Sequence, residues 1–465
     1  SLHDALPISR VQFVGTDRLL AGIVLSVLTF WLFAQSVINV VPAMKSSLDI
    51  SLETLTLAVS LSALFSGCFV VASGGLADKF GRMRMTTLGL ILSIVGSAML
   101  VFSQGPALFL AGRVLQGLSA ACIMPATLAL IKTWYEGKAR QRAVSFWVIG
   151  SWGGSGLCSF VGGAIATGLG WRWIFVFSIA VALAALFLLR GTPESRSASA
   201  QQHKLDISGL LSLILALVLL NLFISKGHGW GWTSATSLAM LAGALASGLF
   251  FIRSGQRKGD AALIDFALFR NRAYSAAVLS NFMLNGAIGT MMIASIWLQQ
   301  GHHLSPLESG MMTLGYLVTV LAMIRVGEKL LQSYGARLPM MSGPVFTAVG
   351  ILLISCTFLD KSTYIVTVFF SNVLFGFGLG CYATPSTDTA VVNAPENKVG
   401  VASGIYKMGS SLGGAMGIAV TASLFALFLP LGMASAAQYA LWFNAALCLG
   451  SMAVSALLLP RTGQS

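Results

Sequence analysis

The chain has 465 residues, of which 56% are hydrophobic and only 9% charged. A soluble domain carries roughly 25% charged residues, and a soluble fold this apolar would hold large greasy patches against water, so composition points to the bilayer as solvent. The six cysteines (Cys68, Cys122, Cys158, Cys356, Cys381, Cys448) all fall in apolar runs without CxxC or metal-like spacing, which argues against a disulfide scaffold or a metal site and for small packing residues.

Residues 1–9 do not look like the rest of the chain and read as a non-native segment, set aside from the fold. Apolar runs long enough to cross the hydrocarbon core, about 20 residues, then recur at 19–41, 55–77, 85–104, 106–132, 142–166, 171–190, 206–225, 234–253, 274–298, 308–330, 338–358, 362–390, 399–427 and 436–459. This predicts an all-α integral membrane protein of about fourteen transmembrane helices. Residues 10–200 form a first six-helix bundle, 201–258 an inserted helix pair, and 259–465 a linker helix with a second six-helix bundle. The stretch Ser254 to Arg272, with Leu263, Ile264, Phe266, Leu268 and Phe269 flanked by Arg and Lys, predicts an interfacial amphipathic helix.

The net charge of +13 is explained by topology. With the N-terminus inside, 21 of the 28 Lys and Arg fall on the inner side, four on the outer side and three within spans. One missed helix would invert every later loop, so the asymmetry supports the span count and places both termini in the cytoplasm. Nucleic-acid binding is not needed to account for the charge.

An internal repeat accompanies the spans. Ala121 to Thr127 (ACIMPAT) and Gly150 to Gly154 (GSWGG) match Cys381 to Thr387 (CYATPST) and Gly409 to Gly414 (GSSLGG) at nearly constant offset. Two related bundles facing each other are the architecture of alternating-access carriers, with the substrate between them.

Four regions carry chemistry. Between the second and third spans, Gly74-Gly75-Leu76-Ala77-Asp78-Lys79-Phe80-Gly81-Arg82 sets two glycines, Gly74 and Gly81, around a tight helix junction, with Asp78 among Lys79, Arg82 and Arg84. In the fourth span, Arg113 of Gly112-Arg113-Val114-Leu115-Gln116-Gly117 lies about 10 Å inside the boundary, a depth at which a basic residue needs either a functional partner or an escape to the interface. Asp388, in Pro385-Ser386-Thr387-Asp388-Thr389, is the carboxylate that falls within a span, near the inner end of the twelfth. Lys407 lies within about 5 Å of its depth, so the two are expected to form an ion pair, either coupled to protons or static. Glu328 pairs locally with Arg325 three residues away. Trp31, Gln35, Asn39, Trp147, Trp152, Asn281 and Asn285 are candidates to face a central cavity, where aromatic rings suit hydrophobic cations, although each singly reads as packing.

The string Gly74 to Arg82 resembles the loop signature of the major facilitator superfamily, and Arg113 to Gly117 resembles its fourth-helix motif. Gly154 to Gly163 matches the superfamily's antiporter motif in part, with Cys158-Ser159 where Gly-Pro is expected. Val37 to Pro42 resembles the first-helix stretch of 14-span drug–proton antiporters without its preceding acid. Taken with Gly117 to Leu128, Arg325 to Gln332, Tyr382 to Ala390 and Gly404 to Met408, the chain from Leu19 to Pro460 resembles multidrug efflux pumps of that branch. The resemblance implies a conformational latch at Gly74, Asp78, Gly81 and Arg82. It implies proton coupling assisted by Arg113, for which Asp388 and Lys407 are further candidates. It also implies proton-driven export of amphipathic drugs (quinolones, quaternary ammonium compounds, dyes) from a bacterial plasma membrane, with a monomer and no cofactor expected. A carrier of a narrower endogenous metabolite or lipid is the alternative. No HExxH, P-loop, GxSxG or paired-acid constellation suggests an enzyme.

Overall fold

The computed structural model describes residues 13–37, 44, 47–48, 52–197, 206–304 and 306–460. The segment 1–9 and Asn39 lie outside the described residues, as does the side chain of Gln35.

Helices are labelled here in chain order. Helix α1 (Asp17–Leu28) continues through a π turn, Thr29–Phe33, and a 3-10 turn, Ala34–Ser36. Then come α2 (Leu52–Phe80), α3 (Arg82–Phe102) and α4 (Pro106–Trp134). Helix α5 runs from Gly137 to Gly168 through a π turn at Ile149–Gly153, and α6 covers Arg172–Leu189. The pair α7 (Ile207–Trp230) and α8 (Ala235–Lys258) follows. Helix α9 (Arg272–Gly286) resumes at Gly289–Ile296, and α10 comprises Pro306–Met312 and Leu314–Tyr334. The chain ends in α11 (Arg337–Ile354), α12 (Lys361–Val392), α13 (Val399–Phe428) and α14 (Met433–Leu458).

The fold is helical because a bilayer leaves backbone N–H and C=O groups no partner except one another. By length and hydropathy, 11 helices among the described residues can cross a membrane, or up to 12 if bent α5 is one span. The expected fourteen exceeds that number at α1 and α7. The first is regular only to Leu28, and the second offers Ile207–Leu220 as its apolar described stretch.

The two largest apolar cores among the described residues hold most of the helices. One gathers Leu19, Ile23, Leu90, Ile123, Leu128, Trp147 and Ala182 from α1 and α3–α6. The other is built chiefly from α9–α14, with Tyr274, Leu284, Val320, Ile351, Phe375, Ile405 and Leu441. The repeat seen in the sequence falls on equivalent elements: Pro125 and Pro385 both lie inside unbroken long helices, α4 and α12.

The linker departs from expectation. Beyond α8 the chain forms two 3-10 turns, Gly259–Ala261 and Phe266–Arg270, rather than an interfacial helix. Leu263, Ile264 and Leu268 are buried with Phe251 and Leu213 in the second core, so their apolar pattern serves protein packing, not lipid contact. The segment is pinned by Asp265, whose side chain caps Ala267 N and accepts from Lys398 Nζ at 2.7 Å. Burial raises the Asp265 pKa, but the Lys398 hydrogen bond, the Ala267 N–H and the Lys398 and Arg270 charges outweigh it and hold the carboxyl below its ordinary range.

Candidate functional site

The two bundles meet at the end of the molecule that carries Asp78, Arg82, Lys132 and Arg140. Asp78 is buried at the last turn of α2 and reaches the first turn of α13. Its Oδ1 accepts from Gly400 N at 3.0 Å and its Oδ2 from Val401 N at 3.1 Å. A carboxylate at a helix N-terminus meets free N–H groups and the positive end of the helix dipole. Arg82 Nη2 stands 3.1 Å from the same Asp78 Oδ1 and donates to Glu396 O at 3.0 Å, while its Nη1 donates to Thr133 of α4 at 2.5 Å. Gly81 has φ +125°, a conformation that a side chain would strain. Of the four residues that the resemblance made a latch, Gly74, Asp78 and Arg82 therefore meet the opposite bundle at one junction, while Gly81 shapes the α2–α3 turn beside Glu194.

Further bonds tighten the same end. Lys132 at the end of α4 donates to Val392 O at 3.1 Å and to Ala394 O beyond α12. The Arg325 guanidinium of α10 lies 4.8 Å from the centroid of Phe146 of α5, and Arg325 also pairs with Glu328 as its spacing foretold.

The α2–α13 pair shows how the bundles are tilted. A Cβ added at Gly74 would collide with Gly400 O, and one at Gly400 with Gly74 O. One turn further along, a Cβ on Gly404 would stand 2.8 Å from Val70 O. At Gly67 the nearest atom, Ser411 Cβ, is 4.0 Å away. The two helices are thus packed most tightly at the Asp78 end and more loosely by Gly67.

Asp388 does not pair with Lys407. Its Oδ1 accepts from Arg140 Nε of α5 at 3.0 Å, across the bundle interface. Equal depth in the membrane fixes height along a helix but not direction around it. Lys407, on α13, instead points its Nζ at the rings of Trp147 (4.9 Å) and Trp31 (5.7 Å) of the opposite bundle. Trp147 Nε1 donates to Thr127 at 2.9 Å, and Trp31 Nε1 to Met124 Sδ at 3.4 Å, so both rings are held in place.

Arg113 is fully buried and does not snorkel. Its guanidinium donates to Ala58 O (3.0 Å), Ala34 O (2.8 Å), Gln116 Oε1 (2.6 Å) and Ser62 Oγ (2.6 Å), tying α4 to α1 and α2. Asn281 and Asn285 are spent within the second bundle: Asn281 donates to Tyr406 O and Ser410 Oγ and accepts from Asn285 Nδ2. Trp152, half-buried on the π turn of α5, packs against both cores.

Sequence reasoning missed Arg140, which lies in the basic stretch Lys138 to Arg142 and was counted with the topological charge. It also missed a buried hydroxyl chain from Ser280 through Tyr382 and Ser386 to Tyr406 and Thr387, with separations of 2.6, 2.9, 3.0 and 3.2 Å. The alternation of these residues along α9, α12 and α13 gave no linear motif.

Paired helical bundles that close against each other at one end through a helix-junction carboxylate define a membrane carrier, not an enzyme. The chain belongs to the major facilitator superfamily, whose sequence model matches residues 19–261 and 273–464. It is similar to the quinolone resistance protein NorB of Staphylococcus aureus, strains MRSA252 and COL, at 52% identity over 97% of this chain and 98% of that protein. The fold is shared with solved structures of low identity. The proton:xylose symporter XylE matches with TM-score 0.68 and 15% identity over 96% of each chain. The human organic anion transporter MFSD10 matches with TM-score 0.62 and 16% identity over 94% of this chain and 98% of its own.

Proposed function

We propose that this chain is a proton-coupled drug exporter of a bacterial plasma membrane, acting as a monomer with fourteen spans and both termini in the cytoplasm. Its cargo is amphipathic drugs: quinolones, as the name of its 52%-identical relative states, together with quaternary ammonium compounds and dyes. The Asp78 end is the cytoplasmic end, and the tight packing of α2 on α13 there corresponds to a state closed to the cytoplasm. Gly74, Asp78, Gly81 and Arg82 act as the latch of that state.

The observation that carries the mechanism is the ion pair of half-buried Arg140 with buried Asp388 between the bundles. A proton arriving at Asp388 removes one charge of the pair and leaves half-buried Arg140 without its partner, an arrangement that opening of the cytoplasmic end relieves. Drug then enters from inside as the proton leaves to the cytoplasm. Arg113 fixes the helices around the site, while Trp31, Trp147 and Trp152 line the drug path. Asn281 and Asn285 shape its second wall.

Everted vesicles energised by a proton gradient test this reading with norfloxacin or ethidium. Uptake abolished by an uncoupler and lost in Asp388→Asn supports it. Uptake retained in the variant removes Asp388 from the coupling step. No energised uptake of either compound by inserted protein favours a narrower metabolite or lipid cargo.

A further inference from the structure

Lys407 is a buried cation placed at the bundle interface with no carboxylate paired to it among the described residues. The two carboxylates buried at that interface, Asp78 and Asp388, are engaged by Arg82 with the start of α13 and by Arg140. Of the cations buried in the first bundle, Arg82 pairs with Asp78, and Arg113 is held by carbonyl, amide and hydroxyl oxygens. What faces the Lys407 ammonium is aromatic: Trp147, fully buried, and Trp31, half-buried. Ring faces attract an ammonium but do not neutralise it. The region between the bundles is therefore short of negative charge at one defined atom, Lys407 Nζ. Beside that atom stands the half-buried indole of Trp31, a planar partner for an aromatic ring.

We propose that Lys407 is a specificity-determining residue that binds the carboxylate of acidic or zwitterionic aromatic cargo, whose ring stacks on Trp31. This rests on the reading of the chain as a drug exporter with its site between the bundles, and deepens it by naming the chemical group selected. A cargo carboxylate supplies the charge that the protein withholds, and a charge-assisted N–H···O bond in a dry site is strong. Cationic cargo has no such partner at this position, so the contact favours acidic cargo without excluding cations from the rest of the site.

The test is equilibrium dialysis of norfloxacin and of its methyl ester against detergent-purified full-length protein, in wild type, Lys407→Met and Lys407→Arg. The ester keeps the ring and loses the anionic group. We expect the acid to bind about tenfold more tightly than the ester in wild type, the gain expected of one charge-assisted contact. The ratio is expected to fall to about one in Lys407→Met and to recover in Lys407→Arg. Equal binding of acid and ester by the wild type overturns the proposal while leaving drug export intact, and needs no variant to fold. A ratio unchanged in Lys407→Met also overturns it and makes the lysine an inter-bundle contact only. Absence of binding of either compound to wild type overturns the exporter reading along with it.

Discussion

Arg140 Nε lies 3.0 Å from Asp388 Oδ1, and with side-chain exposures of 16% and 4% the two charges join α5 to α12 in a nearly dry interface. Removing one partner of such a pair costs roughly 3–5 kcal/mol, because the other charge stays buried alone. Asp388→Asn and Arg140→Gln are each expected to lower energised drug uptake at least about tenfold, and the double variant to be no worse than either single one. The exchange Arg140→Asp with Asp388→Arg should recover part of the loss. A double-mutant cycle on vesicle uptake measures this, and strictly additive losses would show that the two residues act apart.

The approach of Gly74 to Gly400 has its own consequence. Each α-carbon sits where the other helix's carbonyl leaves no room for a Cβ. Gly74→Val is therefore expected to hold the Asp78 end open, break the Asp78 bonds to Gly400 and Val401, and abolish transport. In a background freed of native cysteines, Val401→Cys, half-buried at this junction, should label with a membrane-impermeant maleimide several-fold faster when Gly74 is valine (on the order of fivefold for about 1 kcal/mol lost from the closed state). Equal labelling rates would mean that the helices close without this contact.

The α2–α3 junction was legible because its chemistry is local: Gly74, Asp78, Gly81 and Arg82 fall within one short stretch, and the helix ends that flank it follow from hydropathy. The core architecture was legible too, since a buried Pro125 and a buried Pro385 mark the same helix in each bundle. Partners across the interface were not. Asp388 stood out as an acid within a span, but its partner depends on the azimuth of α12 and on the packing of α5. Neither is encoded in depth along a helix. Arg140 carried no signal beyond its charge, and Asn281 and Asn285 could be seen as polar without showing that they bond to each other. The linker failed for a related reason: an amphipathic pattern reports a buried face without saying whether lipid or protein buries it.

The inserted pair is tied at one end by Asp206. Its Oδ1 caps Gly209 N at 2.8 Å and lies 2.5 Å from Lys258 Nζ at the end of α8, and its Oδ2 accepts from Leu263 N at 3.1 Å. Burial pushes this carboxyl up, but the Lys258 ammonium and the Gly209 and Leu263 N–H groups outweigh it and hold the pKa below its ordinary 3.8. A carboxyl lowered on folding contributes its stability above the unfolded value and loses it as pH falls through the folded one. Asp206→Asn is expected to cost about 1 kcal/mol, the scale of a lost cap. The gap in Tm between wild type and variant in detergent should stay constant from about pH 7 to about pH 5 and narrow only below the ordinary carboxylate range. A gap that narrows near neutrality would assign the effect to another group.

Arg113 donates to four oxygens from three helices with one planar guanidinium, and two of those oxygens are main-chain carbonyls. One of them, Ala34 O, belongs to the 3-10 turn in which α1 leaves its regular ladder, so Arg113 supports an irregular stretch of backbone inside the membrane. Arg113→Met removes the donors and leaves buried acceptors unmatched, at about 1–3 kcal/mol each. Arg113→Lys keeps the charge, but a single ammonium cannot reproduce the fork that reaches α1 and α2 together. The expected order of Tm in detergent is wild type, then Lys, then Met, with energised uptake falling in the same order. If Arg113→Lys matched wild type in Tm yet lost uptake, the residue would act on the coupled proton rather than on the helix arrangement. If it matched in both, the fork geometry would have no part in the protein's stability or its transport.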